Sequence, residues 1–262
     1  STGRAVGRRE VVGEARDELA RIAATINDML SRLEDGYRRE RVFTMDASHE
    51  LRTPLAKVIG EIDLALSRAR TPDEYRETLE RCRRYTAGLE RLVSALLLMA
   101  RLDGSAGRFA PAHVDMGMAA AEIIALLEKE ERARVTLSLG ESAGPLLARG
   151  DKSLLQTLLR NLIDNALRYS QAGMPVRVEV APDGPLHVRV QVEDRGPGVP
   201  ADARERVFAR FVRLDASRSR ESGGFGLGLA IVKAIAQLHN GRVELLARDG
   251  GGTLARVLLP MA

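Results

Sequence analysis

The chain has 262 residues, of which 45% are apolar and 29% charged, as in an ordinary globular protein. Aromatic residues make up only 3% and tryptophan is absent, so the core must be aliphatic, which suits packed helices. The 40 basic and 36 acidic residues nearly cancel and leave a net charge of +4. Because no basic block alternates with aromatic residues, we predict that the chain does not bind nucleic acid.

Cysteine content and hydropathy restrict the compartment of the protein and its relation to membranes. Cys82 is the only cysteine, so no intrachain disulfide can form, which fits a reducing compartment. The longest apolar run, Leu92 to Ala100, is much shorter than the ~20 residues of a membrane-spanning helix. The N-terminus has no signal-peptide pattern. We therefore expect a soluble chain that would reach a membrane only through segments it lacks.

The first hundred residues are predicted to be helical almost throughout. Apolar residues recur with heptad spacing at Leu19, Ile22, Ile26, Met29 and Leu33, and after an interruption at Gly36 at Leu51, Leu55, Val58 and Ile62. A second helix should begin with Thr71 as N-cap and Pro72 as first helical residue. The line of residues that packs against the other helix, its seam, consists of Tyr75, Leu79, Cys82, Thr86, Leu89, Val93 and Leu96. One hairpin leaves its seam half exposed, so we predict a homodimer that forms a four-helix bundle.

The composition changes after a linker at residues 104–112, which is rich in glycine and other turn-forming residues. A helix of about Met116 to Arg132 is predicted to precede a strand at "RVTLSLG". A strong helix from Asp151 to Tyr169 follows, then the strands "VRVEV" and "LHVRVQVED". A helix of about Leu227 to His239 and a hairpin around "RDGGG" close the chain. Helices on one face of a mixed sheet predict a two-layer α/β sandwich.

Three short motifs in this second half have a functional and an ordinary interpretation. Asn161 and Asn165, in "NLIDNALRYS", project from one helix face, which is either a ligand site or a polar surface. "DRGPGVP" begins at Asp194 after a strand, and its glycines let the backbone approach a ligand or simply form a turn. "GGFGLGLAIV" places glycines before a helix, where free N–H groups favour a phosphate. It does not follow a strand, so it is neither a dinucleotide fingerprint nor a P-loop.

The segment between the last two motifs has the composition of a lid. Phe208 and Phe211 can anchor it to the core, while Arg210, Arg213, Arg218 and Arg220 make it cationic. We interpret it as a mobile, arginine-bearing cover over a polyanion.

The order of these motifs resembles the ATP-binding domain of sensor histidine kinases, part of the GHKL ATPase superfamily with its Bergerat fold, from about Val114 to Leu259. By that resemblance Asn165 coordinates Mg²⁺ with Asn161 nearby, Asp194 bonds the adenine amino group, and Tyr169 packs by the adenine. Arg168 and the lid residue Arg213 face the phosphates. The same resemblance places the nucleotide against Gly196, Gly198, Gly226, Leu227, Gly228 and Thr253. Phe225 departs from the family, which often has a small or hydroxylated residue there.

His49, in "DASHELRTPL", has three interpretations: a buried structural residue, a metal ligand or a nucleophile. At 100° per residue it lies about 200° from Leu51 of the seam, so it should point away from the core. No histidine or cysteine stands at ligand spacing from it, which argues against a metal site. Glu50 can orient the ring and accept its proton, which favours the nucleophile. Pro54 cannot donate to the Glu50 carbonyl, so the helix should bend there.

"SHELRTPL" closely resembles the phosphoacceptor box of histidine kinases, and residues 37–103 resemble their dimerisation and phosphotransfer domain. Residues 1–36 resemble the second helix of a HAMP signal-relay module, and residues 113–262 form the catalytic domain. The resemblance implies ATP- and Mg²⁺-dependent phosphorylation of His49 with Glu50 as general base. It further implies transfer to an aspartate of a response-regulator receiver domain, in the cytoplasmic part of a bacterial membrane protein. The spacing of Glu50 and Thr53 resembles bifunctional members, in which Thr53 would align a water for dephosphorylation of the regulator.

Two other classes stay open. A GHKL ATPase of another kind, such as a chaperone or topoisomerase fragment, would share the ATP-binding motifs but not the histidine box. A catalytically dead scaffold would dimerise and relay signals, but the intact His49, Asn165, Asp194 and Gly226 argue against it.

Overall fold

Two long helices form the N-terminal part of the chain. In the computed structural model, which describes residues 3–104, 112–141, 144–214 and 224–262, α1 spans Gly3–Leu66 and α2 spans Pro72–Gly104. The chain divides into two compact units between Arg52 and Thr53. No helix in the described ranges is both long and apolar enough to cross a membrane.

The first helix continues through Gly36 and Pro54. A single glycine costs a helix only about 1 kcal/mol relative to alanine. A Cβ atom at Gly36 would have no neighbour within 4 Å, so the position is open. Pro54 lies inside the helix, which remains helical as far as Leu66. The interruption at Gly36 therefore affects the apolar pattern and not the helix, and the bend at Pro54 stays a prediction.

A reciprocal cap starts the second helix. The backbone N–H of Thr71 donates to Glu74 Oε2 over 2.8 Å, and the N–H of Glu74 donates to Thr71 Oγ1 over 3.3 Å. The bond from the Thr71 N–H is the main cause of a lowered pKa of the Glu74 carboxyl. α2 begins at Pro72, so the predicted N-cap and first helical residue are both confirmed. Across the hairpin, Arg81 Nε donates to Glu61 Oε2 over 2.9 Å.

Much of the apolar surface of the hairpin stays exposed in the single chain. Leu92 and Met99 of α2 are buried. Several other apolar side chains of the two helices, beyond Arg52, are at least 38% exposed, among them Leu55, Ile59, Ile62, Tyr75, Leu79, Val93 and Leu97. A helical hairpin in water normally buries such a stripe against another element.

The C-terminal part is built on a mixed five-stranded sheet in the order β2-β4-β5-β7-β6. Its strands are β2 Val135–Leu139, β4 Val176–Asp183, β5 His187–Glu193, β6 Arg242–Ala247 and β7 Thr253–Pro260. Only β2 and β4 are parallel. A separate antiparallel pair joins β1 Ala112–Asp115 to β3 Leu147–Gly150.

Helices cover one face of the large sheet. This layer consists of α3 Met116–Ala125, α5 Lys152–Tyr169 and α6 Gly228–Leu238. The short α4, Lys129–Arg132, has no buried residue. The fully buried residues of this layer include Leu155, Leu158, Leu159 and Ile163 of α5, Ile235 of α6, and Val176, Val178 and Val190 of the sheet. The predicted two-layer α/β sandwich is confirmed.

Some predicted elements differ from the observed ones. The single helix predicted for residues 116–132 is wrong, because α3 ends at Ala125 and α4 begins at Lys129. The strands β1 and β3 were not predicted, since neither shows clear alternation over its four residues. Of the predicted linker at residues 104–112, Gly104 ends α2 and Ala112 begins β1, while residues 105–111 lie outside the described ranges.

A buried histidine joins the two helices that carry the site described below. Asp151 caps α5, with Oδ1 accepting from the N–H groups of Ser153 at 2.8 Å and Leu154 at 3.1 Å. The Asp151 N–H donates to His239 Nε2 over 3.0 Å, and His239 Nδ1 lies 2.8 Å from the Ile235 carbonyl of α6. Nε2 therefore accepts and Nδ1 donates, which is the neutral ring. This contact fixes the start of α5 against the end of α6.

Candidate functional site

The two asparagines of α5 face the first turn of α6. Asn161 and Asn165 are both half-buried. A Cβ atom at Gly228 would lie 3.0 Å from Asn161 Oδ1 and 3.4 Å from Asn165 Nδ2, so both amides reach the start of α6. Asn161 Nδ2 donates to the Thr157 carbonyl over 2.8 Å, which holds that side chain along the helix. The two amides therefore lie against the first turn of α6, and their role as a ligand site stays a prediction.

The loop before α6 leaves the start of that helix without a side-chain cap. The N-cap position is taken by Leu227, whose buried apolar side chain forms no capping hydrogen bond. Gly226 has a φ of +70°, and a Cβ atom there would lie 2.8 Å from the carbonyl carbon of Phe211. The Phe211 N–H donates to the Gly226 carbonyl over 2.9 Å. A helix start with uncapped N–H groups beside two amides suits an anion.

A buried carboxylate, Asp194, stands directly after β5. Asp194 is 8% exposed, and its Oδ1 accepts from the N–H groups of Gly196 at 2.8 Å and Thr253 at 3.1 Å. The Asp194 N–H donates to the Thr253 carbonyl over 2.9 Å. The end of β5 and the start of β7 are thereby held together, and Asp194 and Thr253, each predicted separately at the adenine, contact each other.

Burial raises the pKa of the Asp194 carboxyl, although the N–H groups of Gly196 and Thr253 act in the opposite direction. Because the pKa of the Asp194 carboxyl is higher in the folded chain than in the unfolded chain, protonation of this group stabilises the fold. That contribution is present in full when the pH is below the unfolded-state pKa. It is lost as the pH rises through the folded pKa. Ionisation of this buried carboxyl therefore costs stability, which is typical of a group retained for binding.

The end of α5 lies against the turn that follows Asp194. A Cβ atom at Gly196 would lie 2.5 Å from the Tyr169 carbonyl oxygen, and one at Gly198 would lie 3.2 Å from the Gly252 carbonyl oxygen. Tyr169 is exposed, with 47% of its surface accessible. The guanidinium of Arg168 lies directly against Gly224, at the end of the lid segment.

The predicted lid is described only at its two ends. Arg213 is half-buried near the last described residue before the gap, whereas Arg218 and Arg220 lie outside the described ranges. Both ends contact α2. Arg210 Nη2 donates to both carboxylate oxygens of Asp103, over 2.6 and 2.8 Å, and the Phe225 ring lies 3.8 Å from where a Cβ of Gly88 would stand.

The predicted phosphoacceptor box lies on α1. His49 is exposed and Glu50 is half-buried in the first compact unit, while Thr53 is exposed at the beginning of the second. The structural interpretation of His49, which needs burial, is therefore wrong. Among the described residues no group of three His, Cys, Asp or Glu side chains could hold a metal ion.

Two residues of the site had no predicted role. Ser170 is buried, and its Oγ accepts from the Arg195 N–H over 3.1 Å. Gly252 has a φ of +103°, and a Cβ atom there would overlap the Asp194 carbonyl oxygen. The glycine run before Thr253 was a usable signal for the second residue, since three consecutive glycines indicate positive φ or close backbone approach.

Replacing Gly252 by alanine should destabilise the fold by at least about 2 kcal/mol, because the strained φ and the overlap with Asp194 add. Nucleotide affinity should fall with it. Gly250→Ala is a matched control, since Gly250 has a φ of +79° but no neighbour within 4 Å. That variant should lose only the left-handed strain of about 1 kcal/mol. Urea denaturation measures both, and equal losses would mean that contact with Asp194 is unimportant.

Two family models match the chain. The His Kinase A (phospho-acceptor) domain matches residues 39–105, and the histidine kinase-, DNA gyrase B-, and HSP90-like ATPase matches residues 150–262. The first range contains His49 and most of the hairpin. The second contains every predicted nucleotide-site residue from Asn161 to Thr253.

Individual proteins agree with these matches. Sensor protein IrlS of Burkholderia pseudomallei is 34% identical over 225 residues, 86% of this chain and 48% of IrlS. Signal transduction histidine-protein kinase BaeS of Escherichia coli (strain K12) is 35% identical over 254 residues, 96% of this chain and 53% of BaeS. The crystal structure of full-length ShkA in complex with AMPPNP is 28% identical, with a TM-score of 0.60 over 85% of this chain and 46% of ShkA.

The chain spans about half the length of the curated relatives it matches. Within that span it contains both domains recognised by the family models, the hairpin with the histidine box and the sandwich with the ATP-binding motifs. From these matches and the named kinase relatives it follows that the chain belongs to the sensor histidine kinase family.

Proposed function

We propose that the chain transfers the γ-phosphate of ATP to its own His49 and then to an aspartate of a response-regulator receiver domain. One observation carries the nucleotide part of this proposal. The buried Asp194 carboxylate lies beside the end of α5, the same helix that holds the two asparagines against the start of α6. The carboxylate is suited to a hydrogen-bond donor such as the adenine amino group, and the asparagines with the helix start are suited to phosphates.

The remaining predicted residues divide between the adenine and the phosphates of the nucleotide. Tyr169 and Thr253 line the adenine end, and the turn of Gly196 and Gly198 allows the base to approach the backbone. Gly226, Leu227 and Gly228 offer N–H groups to the phosphates, and Arg168 and Arg213 supply positive charge there. The relative ShkA was crystallised with AMPPNP, an ATP analogue, which supports this assignment.

A magnesium ion fits this set of residues. Mg²⁺ prefers oxygen ligands, usually takes few of them from the protein, and binds together with substrate phosphates. The Asn165 amide, half-buried beside the N-terminus of α6, would supply one such oxygen, with Asn161 nearby. The ion would neutralise charge on the phosphates when bound.

At the phosphoacceptor, an imidazole nitrogen of His49 forms a bond to the γ-phosphorus, the bond from that phosphorus to the β–γ bridging oxygen breaks, and ADP leaves. Glu50 accepts the ring proton as the new bond forms. His49 is exposed on α1. Catalysis would consist mainly of positioning and charge stabilisation, as in other phosphoryl transfers.

The active form is proposed to be a homodimer at the cytoplasmic side of a bacterial membrane, attached through segments outside this chain. Exposed leucine and isoleucine side chains on both hairpin helices support the dimer, because a second hairpin would cover them. Ile26, Met29 and Leu33 are also exposed, in the part of α1 that resembles a HAMP helix.

Incubation with Mg²⁺ and γ-labelled ATP tests the proposal. The chain should become covalently labelled, and addition of the correct receiver domain from a panel should remove the label within seconds to minutes. A scaffold without catalysis would stay unlabelled under all conditions. A chaperone- or topoisomerase-type ATPase would release inorganic phosphate without labelling the chain.

Thr53→Ala should slow dephosphorylation of the phosphorylated regulator by about tenfold or more, because the hydroxyl would no longer align the attacking water. Autophosphorylation of His49 should change little. Thr44→Ala is a matched control on the same helix, since Thr44 is exposed and its hydroxyl bonds only to its own helix, at the Glu40 carbonyl. A regulator half-life that is the same with Thr53→Ala as with the wild type would refute the phosphatase role.

A further inference from the structure

We propose that Ser170 is a positioning residue for nucleotide recognition, because its hydroxyl holds the backbone that carries Asp194. This inference rests on the proposed function, in which Asp194 bonds the adenine amino group. Ser170 is 8% exposed and follows directly after α5. Its Oγ accepts from the Arg195 N–H over 3.1 Å, a bond between residues 25 positions apart.

The backbone and side-chain groups of Ser170 have separate roles. Its N–H donates to the Ala166 carbonyl over 2.9 Å and so completes the last turn of α5. Any residue except proline could supply that bond. Only the hydroxyl reaches the strand end. Ser170→Ala therefore keeps the helix end and removes the connection to Arg195, which separates a positioning role from a capping role.

That connection completes the fixation of Asp194. On one side the Asp194 N–H is held by the Thr253 carbonyl, and on the other the next peptide is held by Ser170. The carboxylate itself receives the N–H groups of Gly196 and Thr253 on Oδ1. With the hydroxyl gone, the peptide after Asp194 can rotate, and the carboxylate loses its fixed direction toward the base.

The same contact ties the recognition carboxylate to the asparagine helix. α5 carries Asn161 and Asn165 at the phosphate end and Tyr169 next to Ser170. Gly196 lies against the Tyr169 carbonyl. Ser170 thus sets the spacing between the adenine-facing carboxylate and the helix that faces the phosphates.

The test compares the affinities for ATP and GTP, since guanine has no amino group at the position that Asp194 would recognise. Ser170→Ala should weaken ATP binding by about three- to tenfold, the range expected for one hydrogen bond. GTP binding should change little, so the ratio of the two affinities falls. Ser170→Thr, which keeps the hydroxyl, should retain most of the ratio. Amide hydrogen exchange at Arg195 should be faster in Ser170→Ala only.

Two controls make the outcome decisive. Ser138→Ala, at an exposed serine of β2, should leave the ratio and the exchange rate unchanged. Asp194→Asn should abolish the preference for ATP. If Asp194→Asn abolishes it while Ser170→Ala leaves the ratio at the wild-type value, the role of Ser170 is refuted and the proposed function stands. If Asp194→Asn also leaves the ratio unchanged, the adenine assignment fails, and the positioning role falls with it.

Discussion

Replacing His49 by glutamine is expected to abolish covalent labelling by γ-labelled ATP. Glutamine has similar size and polarity, but its amide nitrogen has no available lone pair with which to attack phosphorus. Nucleotide affinity should not change, because the ATP-binding motifs lie within residues 150–262. Autoradiography of the denatured chain and a fluorescent nucleotide titration measure the two quantities separately.

His113→Gln is the matched control for this experiment. His113 is also exposed but lies on β1, far from the histidine box in sequence. That variant should label at the wild-type rate. Persistent labelling of His49→Gln at more than background would mean that another residue accepts the phosphate.

Asn165→Ala is expected to lose most of the Mg²⁺-dependent affinity for ATP and, with it, labelling of His49. Losing an outer-shell partner of a metal already costs about 10- to 100-fold in affinity or activity, and a direct ligand should cost at least as much. A nucleotide titration at increasing Mg²⁺ concentration measures the effect. In EDTA the variant and the wild type should bind nucleotide equally, because the asparagine then has no ion to coordinate.

A control for helix integrity lies on the same element. Gln156 of α5 points away from the asparagine face, with Nε2 donating to Glu122 Oε2 over 2.6 Å. Gln156→Ala should leave the Mg²⁺ dependence unchanged. If Asn165→Ala labelled as fast as the wild type, the metal assignment would be wrong.

Local sequence signals predicted the parts of the fold that depend on neighbouring residues. Thr71, Pro72 and Glu74 specify the start of α2 through contacts within one turn. In "VRVEV", three buried valines alternate with more accessible residues, as a strand with one covered face requires. The order of elements in the sandwich was accessible for the same reason.

Features that depend on long-range contacts could not be predicted from the sequence. The strands β1 and β3 pair residues that are 32 to 38 positions apart, and each strand is too short for a periodic signal. The role of Gly252 depends on the carbonyl of Asp194, and that of Ser170 on the N–H of Arg195. Nothing near either residue in the sequence indicates these partners. Motif order located Asp194 and Thr253, but only the sheet shows that they bond to each other.

The contacts of α2 with the ends of the lid are also long-range contacts that the sequence could not predict. Phe225 was identifiable as a departure from the family pattern, yet its neighbour Gly88 is more than a hundred residues earlier in the chain. The bidentate pair of Arg210 and Asp103 likewise joins two distant segments. Composition alone indicated a cationic lid and did not indicate which acidic residue an arginine would contact.

The most direct test is to locate the phosphoryl group and determine its chemical stability after incubation with Mg²⁺ and ATP. Mass spectrometry under alkaline conditions should place one phosphate on His49. The label should be lost in acid and retained in base, as expected for a phosphorus–nitrogen bond. A phosphate that survives acid, or that maps to a residue other than His49, would contradict the account.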